Sequence, residues 1–252
     1  MNPPLTPSAR SVFTIGGALL ALALLTGCGQ NADLAGSETR TEEKTYDDVP
    51  ELLLVEIDDA SLEIVPHEAD QIRVVREETG SAGGDWELTG NTLDLEMDCG
   101  TFSDCRVRYE VFVPADTALS VETDNGDVSV SGSRAPTEVR SGNGTIAVSD
   151  VTGPLTLTSA NGDMNLSGIG SESLSAATGN GTIDAVFSEA PAEVEVSTNN
   201  GAATLALPGG PYAVFETFGN GEVTNELPSD DTSASTVTAR TDNGTITLVP
   251  TD

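Results

Sequence analysis

The chain of 252 residues carries 41 acidic and 10 basic residues, which gives a formal net charge of −31. This balance excludes a nucleic-acid interface, which needs a basic surface to neutralise phosphates, and it disfavours spreading over an anionic bilayer. Aromatic residues make up only 4%, and 26 glycines and 13 prolines predict many short strands and turns around a core of Val, Leu, Ile and Ala.

Residues 1–27 are predicted to be a lipoprotein signal peptide. A polar start with one positive charge, Arg10, precedes the apolar run Val12–Leu25. That run is followed by small residues, which is typical of an export signal and not of a membrane span. The sequence Leu-Thr-Gly-Cys at 25–28 resembles the lipobox of bacterial lipoproteins, in which the cysteine receives diacylglycerol and the chain is cut before it. The resemblance implies a lipid on Cys28 that anchors the protein to the extracytoplasmic face of the cell membrane. An ordinary secretory signal with a chance cysteine is the alternative.

Residues 28–48 are predicted to be a flexible tether, because residues 29–48 have little apolar content and no hydrophobic periodicity. Residues 49–252 are interpreted as one β-repeat domain. Its first part, 49–115, contains alternating apolar runs that we interpret as irregular first coils or a cap on the same core. Its second part, 116–252, is regular.

Two cysteines remain beside Cys28. Cys99 and Cys105 bracket a short loop between two strand-like runs, close enough to bridge. An exported protein meets an oxidising compartment, so a disulfide is favoured. A redox-active pair is the weaker alternative, since the spacing is not Cys-x-x-Cys. A metal site would require further Cys or His ligands.

The regular part is a repeat of about 18 to 20 residues. Successive Asn-Gly pairs are separated by 18, 18, 19, 20, 20 and 23 residues, and the last interval contains the polar insertion Asp230–Ser235. Asn and Gly both tolerate the positive φ that a sharp corner requires. The predicted corners are Asn125-Gly126, Asn143-Gly144, Asn161-Gly162, Asn180-Gly181, Asn200-Gly201, Asn220-Gly221 and Asn243-Gly244.

Apolar residues alternate with polar ones on both sides of each corner. Four residues before the Asn stand Val121, Val139 and their equivalents, and three residues after it stand Val128, Ile146 and theirs. A period of two predicts strands with one buried face.

Hydroxyl residues occupy the inward position two residues before the Asn, where they are predicted to stack and to bind backbone groups at the corner. The alternative is that Ser and Thr are simply common near turns. Phe218 departs from this column, and we interpret the sixth unit as carrying one extra residue and a bulge. The hydroxyl column consists of Thr123, Ser141, Ser159, Thr178, Thr198 and Thr241.

Period and parity fit both a meander of hairpins and a solenoid of stacked coils, and the columns of like residues favour the solenoid. The units 121–130 (VETDNGDVSV) and 155–166 (LTLTSANGDMNL) resemble the bacterial DUF4097 β-strand-repeat family, whose members are often labelled as proposed adhesins. The resemblance covers about residues 50–250. It implies an all-β fold, a single-stranded right-handed parallel β-solenoid, in an exported or surface setting, with no established catalytic activity.

Catalytic and cofactor chemistry find little support. His67 is the only histidine, and no Gly-x-Ser-x-Gly sequence accompanies it. No dinucleotide fingerprint or phosphate loop is present, so no cofactor is expected. Asp124, Asp127 and Asp163 flank the corners and are weak calcium candidates, although solvated turn acids are the favoured interpretation and no metal is expected.

The predicted function is that of a lipid-anchored, non-enzymatic binding, adhesive or structural module of the cell envelope. An envelope-stress sensor or accessory subunit of a membrane complex is the alternative, and a glycan-active enzyme comes third. The expected partners are the membrane, through Cys28, and an envelope polymer or protein, and not nucleic acid. Low lysine and high acid content are also compatible with adaptation to salt.

Overall fold

The computed structural model describes residues 39–80, 82–99 and 105–251. Within these ranges the chain contains strands and no helix, so the described part has no helix long and apolar enough to cross a membrane. The predicted signal peptide and Cys28 lie outside the described residues.

The N-terminal part is an irregular set of nine strands that combines antiparallel and parallel pairings. β4 pairs antiparallel with both β1 and β9, and β9 pairs parallel with β3. A short hairpin, β6–β7, joins β2 through a parallel pairing. The strands are β1 (Thr39–Tyr46), β2 (Leu52–Ile57), β3 (Ser61–His67), β4 (Ile72–Thr79), β5 (Ala82–Gly83), β6 (Trp86–Thr89), β7 (Thr92–Leu95), β8 (Asp98–Cys99) and β9 (Arg106–Pro114).

The first five repeats contribute two strands each, one before and one after the Asn-Gly corner, and the last two contribute one strand each. The strands are β10 (Ala118–Asn125), β11 (Val128–Ser131), β12 (Thr137–Asn143), β13 (Ile146–Ser149), β14 (Leu155–Asn161), β15 (Met164–Ile169), β16 (Ser173–Asn180), β17 (Ile183–Phe187), β18 (Glu193–Asn200), β19 (Ala203–Leu207), β20 (Ala213–Asn225) and β21 (Thr236–Pro250). The last two run through their corners without a break.

Successive repeats pair in parallel and in register, with Asn125 opposite Asn143 and Asn143 opposite Asn161. The strands before the corner form one face in the order β2, β10, β12, β14, β16, β18. The strands after it form a second face in the order β3, β11, β13, β15, β17, β19. A meander would pair neighbours antiparallel, so the chain is a stack of solenoid-like coils.

The core lies between the two faces. The inward columns are apolar at nearly every level, and Val121, Leu157, Ile183 and Leu205 are each at most 1% exposed. One continuous cluster of buried side chains runs from Leu53 to Leu248, so the irregular N-terminal strands share the core of the repeats, as expected. Burying each such side chain contributes about 1.5–3 kcal/mol to folding.

The order of the last two coils differs from the chain order. β21 pairs with β18 and β19, and β20 pairs with β21 on its other side. The final coil is therefore inserted between the fifth and the sixth, and β20 ends the stack. The expected bulge before Asn220 is wrong, because β20 pairs with β21 in one continuous register, with Phe218 opposite Thr241 and Asn220 opposite Asn243.

The predicted tether is too long at its C-terminal end. Residues 39–46, which were assigned to it, form β1 and pair with β4 along their whole length. This strand is polar, so hydrophobic periodicity does not reveal it. Its contacts are charged instead: Arg40 lies 3.7 Å from Glu78, Arg73 lies 3.6 Å from Glu43, and Lys44 stands 4.2 Å above the ring of Trp86.

Candidate binding surfaces

The asparagines of the corners form a hydrogen-bonded ladder along the stack. Each Nδ2 donates to the Oδ1 of the asparagine in the adjacent coil, for example Asn143 to Asn125 at 2.8 Å and Asn180 to Asn161 at 2.7 Å. The ladder begins at Asp59, whose carboxylate accepts from Asn125 at 2.8 Å, and ends at Asn220, which donates to Asn243 at 3.0 Å. The corners therefore hold the coils in register and are structural.

The glycines of the corners let the coils approach closely. A Cβ on Gly162 would stand 1.9 Å from the carbonyl oxygen of Gly144, and Gly144 itself has a φ of 118°, which side chains rarely adopt. Both features require glycine, which explains why the second residue of the corner does not vary among the seven units.

The hydroxyl column lies inside the corner and binds backbone carbonyls, as predicted. Thr178 donates to Gly162 O at 3.1 Å, Thr198 to Gly181 O at 3.0 Å and Thr241 to Gly201 O at 3.2 Å. Thr123 and Ser141 bind the carbonyls of Asp58 and Asn143. Ser159 is the exception, since its buried Oγ has no partner within the described part of the chain.

The three calcium candidates do not converge. Asp127 accepts a hydrogen bond from the amide of Thr145 at 2.8 Å, and Asp163 accepts one from Thr182 at 2.8 Å. Each carboxylate thus links its corner to the next coil. The coil that contains Thr145 lies between the coils of Asp127 and Asp163, so the two carboxylates are not neighbours in the stack. The side chain of Asp124 lies elsewhere, beside an acidic groove with Glu56, Asp58 and Glu122. No group of three possible metal ligands occurs among the described residues.

Cys99 and Cys105 are joined by a disulfide, with Cα atoms 5.8 Å apart. The bridge borders the two-stranded pair β5–β8, in which Ala82 lies opposite Cys99. The guanidinium of Arg76, only 4% exposed, donates to the carbonyls of Gly83 and Gly84 at 2.6 and 3.1 Å. The disulfide thus joins the end of β8 to the start of β9, and Arg76 joins β4 to Gly83 and Gly84.

Aromatic side chains close the N-terminal end of the core. Trp86 and Tyr109 are buried and pack edge to face, with ring centroids 6.3 Å apart. The hydroxyl of Tyr109 donates to Glu96 O at 2.8 Å, and burial raises the pKa of this phenol to about 12, although the charge of Arg76 opposes the rise. His67 packs against Phe112, with ring centroids 6.2 Å apart, and its buried Nε2 has no hydrogen-bond partner among the described residues.

The two outer faces of the stack differ in charge. The first face, formed by the strands before the corners, carries Glu122, Glu138 and Arg140 in its early coils and an ion pair of Arg240 with Glu195 at 2.7 Å farther along. The second face, formed by the strands after the corners, presents small and mostly uncharged side chains. From β11 to β21 the outward residues are Ser129, Ser131, Ala147, Ser149, Asn165, Ser167, Asp184, Val186, Thr204, Ala206, Thr247 and Val249.

Among these twelve residues only Asp184 is charged, in a chain of net charge −31. In β11, β13, β15, β17, β19 and β21 the second face is therefore less charged than the first face, and its hydroxyl groups stand on strands about 4.8 Å apart. Sequence reasoning named the corners and missed this face. The signal was present in the small residues four and six positions after each Asn.

The family model described as Toastrack DUF4097 matches residues 114–249. None of the curated proteins matches the chain.

Several solved structures are similar to it, and three of them are described next. A proposed adhesin from Bacteroides fragilis NCTC 9343 is 15% identical and aligns with a TM-score of 0.54 over 83% of this chain and 97% of its own. A proposed cell adhesion protein from Clostridium sporogenes ATCC 15579 is 12% identical, with a TM-score of 0.37 over 84% of this chain and 100% of its own. A proposed adhesin from Parabacteroides distasonis ATCC 8503 is 10% identical, with a TM-score of 0.37 over 84% of this chain and 98% of its own. The first of these supports an all-β, mostly parallel fold.

Proposed function

Because this chain belongs to the Toastrack DUF4097 family, we propose that it is a lipid-anchored binding module on the extracytoplasmic side of the cell envelope, with an adhesive or structural and not an enzymatic role. The second face is the observation that carries this proposal. A surface of small, mostly uncharged, hydroxyl-bearing residues on an acidic protein suits contact with an extended polymer or another protein, because charge is depleted at the centre of protein interfaces. Wall glycans present such a regular polar surface.

The lipid anchor is part of the proposal and rests on Leu25, Thr26, Gly27 and Cys28. The disulfide between Cys99 and Cys105 supports a location outside the cytoplasm, because such bridges persist in oxidising compartments. We also take the solenoid to be right-handed, because connections between parallel strands adopt that hand almost without exception.

Fractionation of cells tests the anchor. Cys28→Ser is expected to release the protein from the membrane fraction or to leave it unprocessed at higher mass. The double variant Cys99→Ser/Cys105→Ser, which also removes thiols but leaves residues 25–28 intact, is expected to stay membrane-bound. Unchanged size and fractionation of Cys28→Ser would refute lipidation.

Binding to isolated envelope material tests the role of the second face. We would measure retention of the full chain, purified in detergent, on cell-wall and membrane fractions from the source cells. Ser149→Arg/Ser167→Arg places two long charges on the second face and is expected to reduce retention on wall material about tenfold, equivalent to about 1.4 kcal/mol. The matched control Thr156→Arg/Ser175→Arg alters the first face in the neighbouring strands β14 and β16 and is expected to bind normally.

The alternative function, an accessory or sensory subunit of a membrane complex, predicts a different result. In that case a single membrane protein is retained in place of wall material, and the second-face variant binds as well as the first-face control. Equal retention of both variants on wall material would also contradict a role for the second face.

A further inference from the structure

The two ends of the stack are closed differently. At the N-terminal end, β7 and β6 extend the first face beyond β2, and β9, β4 and β1 extend the second face beyond β3. Trp86 and Tyr109 are buried there. At the other end, β20 pairs with β21 and with no further strand of the described chain. One edge of this strand, 13 residues long, therefore faces solvent.

Backbone groups along this edge are arranged to receive one more strand. In the coils below, the amide of the corner glycine donates to the asparagine carbonyl of the next coil, as from Gly126 to Asn143 at 3.1 Å and from Gly201 to Asn243 at 3.0 Å. The amide three residues after the asparagine also donates to the next coil, where the acceptor is the carbonyl two residues after the asparagine, as from Ile183 to Ala202 O at 2.9 Å. The equivalent amides in β20 are those of Gly221 and Val223, and no described coil lies beyond them.

Two aromatic side chains stand at the same edge. Phe215 is 58% exposed and Phe218 is 49% exposed, and these are two of the four large apolar residues on the surface of the described chain. Phe218 takes the inward position that a hydroxyl residue takes in the other coils, opposite Thr241. Val214 and Val223 are partly buried against the core. Phe215 takes an outward position, opposite Thr238, so the two rings lie on opposite faces of β20, and each can contact a side chain of an added strand.

β20 has one feature that protects an edge strand, the inward-pointing charge of Glu216 opposite Ala239, and it lacks the others. Proline, lysine and arginine, which discourage pairing with other chains, do not occur between Ala213 and Asn225. By contrast, the edge strand β1 carries Arg40 and Lys44, and the edge strand β6 has only four residues. A long parallel edge without proline or a basic residue is the form of surface that binds an extended peptide by strand addition.

Charge selects the kind of partner. The segment from Pro208 to Ser235, which contains β20, has five acidic residues and no basic one. A second copy of this chain would bring the same acids against themselves, and like charges placed together are unfavourable. The five acids are Glu216, Glu222, Glu226, Asp230 and Asp231.

We infer that β20 binds an extended, positively charged segment of another protein as an additional strand of the stack, with Phe215 and Phe218 as its apolar anchors. This inference deepens the proposed binding function by naming a class of partner. It depends neither on the lipid anchor nor on the second face, so its test leaves the envelope-binding experiment independent.

Fluorescence polarisation of labelled peptides tests it, with the full chain purified in detergent. The probes are an eight-residue peptide of alternating lysine and valine, its glutamate–valine counterpart, and a lysine–valine peptide with N-methylated amides that cannot pair as a strand. Saturable binding of the first probe alone is expected. Phe215→Ser/Phe218→Ser is expected to weaken it about tenfold or more, whereas Val186→Ser, which removes an exposed apolar side chain from the second face, leaves it unchanged.

Hydrogen exchange locates the site. Binding of the lysine–valine peptide is expected to slow exchange within Ala213–Asn225 and to leave β14 unaffected. Equal binding to the two variants, equal binding of the N-methylated probe, or protection elsewhere would overturn the inference. So would sedimentation showing a dimer of the free chain that Phe215→Ser/Phe218→Ser dissolves, since a second copy would then be the occupant.

Discussion

At the scale of single residues, the asparagine ladder makes each coil depend on its neighbours. Asn161 donates to Asn143 at 3.1 Å and accepts from Asn180 at 2.7 Å, so its side chain joins three coils. Because each internal hydrogen bond contributes a net 0.5–1.5 kcal/mol, and these lie at the surface, Asn161→Ala is expected to lower the free energy of unfolding by about 1–2 kcal/mol.

Urea denaturation followed by circular dichroism measures this loss. The control is Asn165→Ala in the same coil, an exposed residue whose side chain makes no hydrogen bond to the described chain, and it is expected to change stability by less than about 0.5 kcal/mol. Equal midpoints for the two variants would show that the ladder contributes no stability.

Tyr109 gives the protein a specific sensitivity to alkali. Its pKa in the folded protein, about 12, lies above the ordinary tyrosine pKa of about 10, because burial disfavours the phenolate. The stabilisation of the neutral phenol is therefore complete below pH 10 and is lost as the pH rises from 10 to 12. Wild-type stability is expected to fall over this window more steeply than that of Tyr109→Phe.

The comparison is made by denaturant titrations at several pH values. At pH 7 the Tyr109→Phe variant is expected to be less stable by about 1 kcal/mol, since it loses the hydrogen bond to Glu96 O. Tyr46 and Tyr212 are present in both proteins, so their titration cancels in the difference. If the free energies of unfolding of wild type and Tyr109→Phe changed in parallel from pH 9 to 12, the raised pKa of Tyr109 would be contradicted.

At the scale of structural elements, the corner is limited by the distance between backbones. Gly162→Ala would place a methyl group 1.9 Å from Gly144 O, and a backbone atom cannot move aside as a flexible side chain can. We expect a loss of about 3 kcal/mol in the free energy of unfolding. Gly209→Ala is the control, because nothing lies within 4 Å of its added Cβ. A small effect at both sites would mean that the coils can separate at the corner at little cost.

Sequence patterns revealed the elements whose stability comes from apolar burial. The columns at Val121 and Ile146 predicted the strands on both sides of the corner, and the aligned asparagines predicted their register. The strand Thr39–Tyr46 was not predicted, because its residues show no apolar alternation. Ion pairs and backbone pairing hold it in place instead. Spacing alone could not separate hairpins from coils. Only the parallel pairing in the structure distinguishes them.

The candidate surfaces were harder to predict than the fold. Ser149 and Ser167 are ordinary polar residues in the sequence, and they form a neutral face only when the coils stack in register. Phe218 was visible as a departure from the hydroxyl column, but it was wrongly attributed to a bulge. The physical reason is different: in the terminal coil nothing stacks above the inward positions, so Glu216 and Asn225 can hydrogen-bond to each other at 2.7 Å instead of filling a core.

At the scale of the whole molecule, the stack behaves as a one-dimensional array in which each coil is stabilised by its neighbours. An interior coil is hydrogen-bonded on both edges, and a terminal coil on one. Spatial position and chain position disagree at the C-terminal end, because β21 lies between β19 and β20. The order in which the last coils open is therefore a test of this topology.

Native-state hydrogen exchange makes that test. The amides of β20 are expected to exchange about tenfold faster or more than those of β21, since a terminal element opens at a lower free energy than one that is paired on both sides. β14, in the middle of the stack, is the internal reference and is expected to exchange more slowly than β20. If the coils were stacked in chain order, β21 would be terminal and would exchange before β20. Faster exchange of Thr238–Leu248 than of Phe215–Val223 would therefore contradict the inserted strand, and with it the assignment of β20 as the open end of the stack.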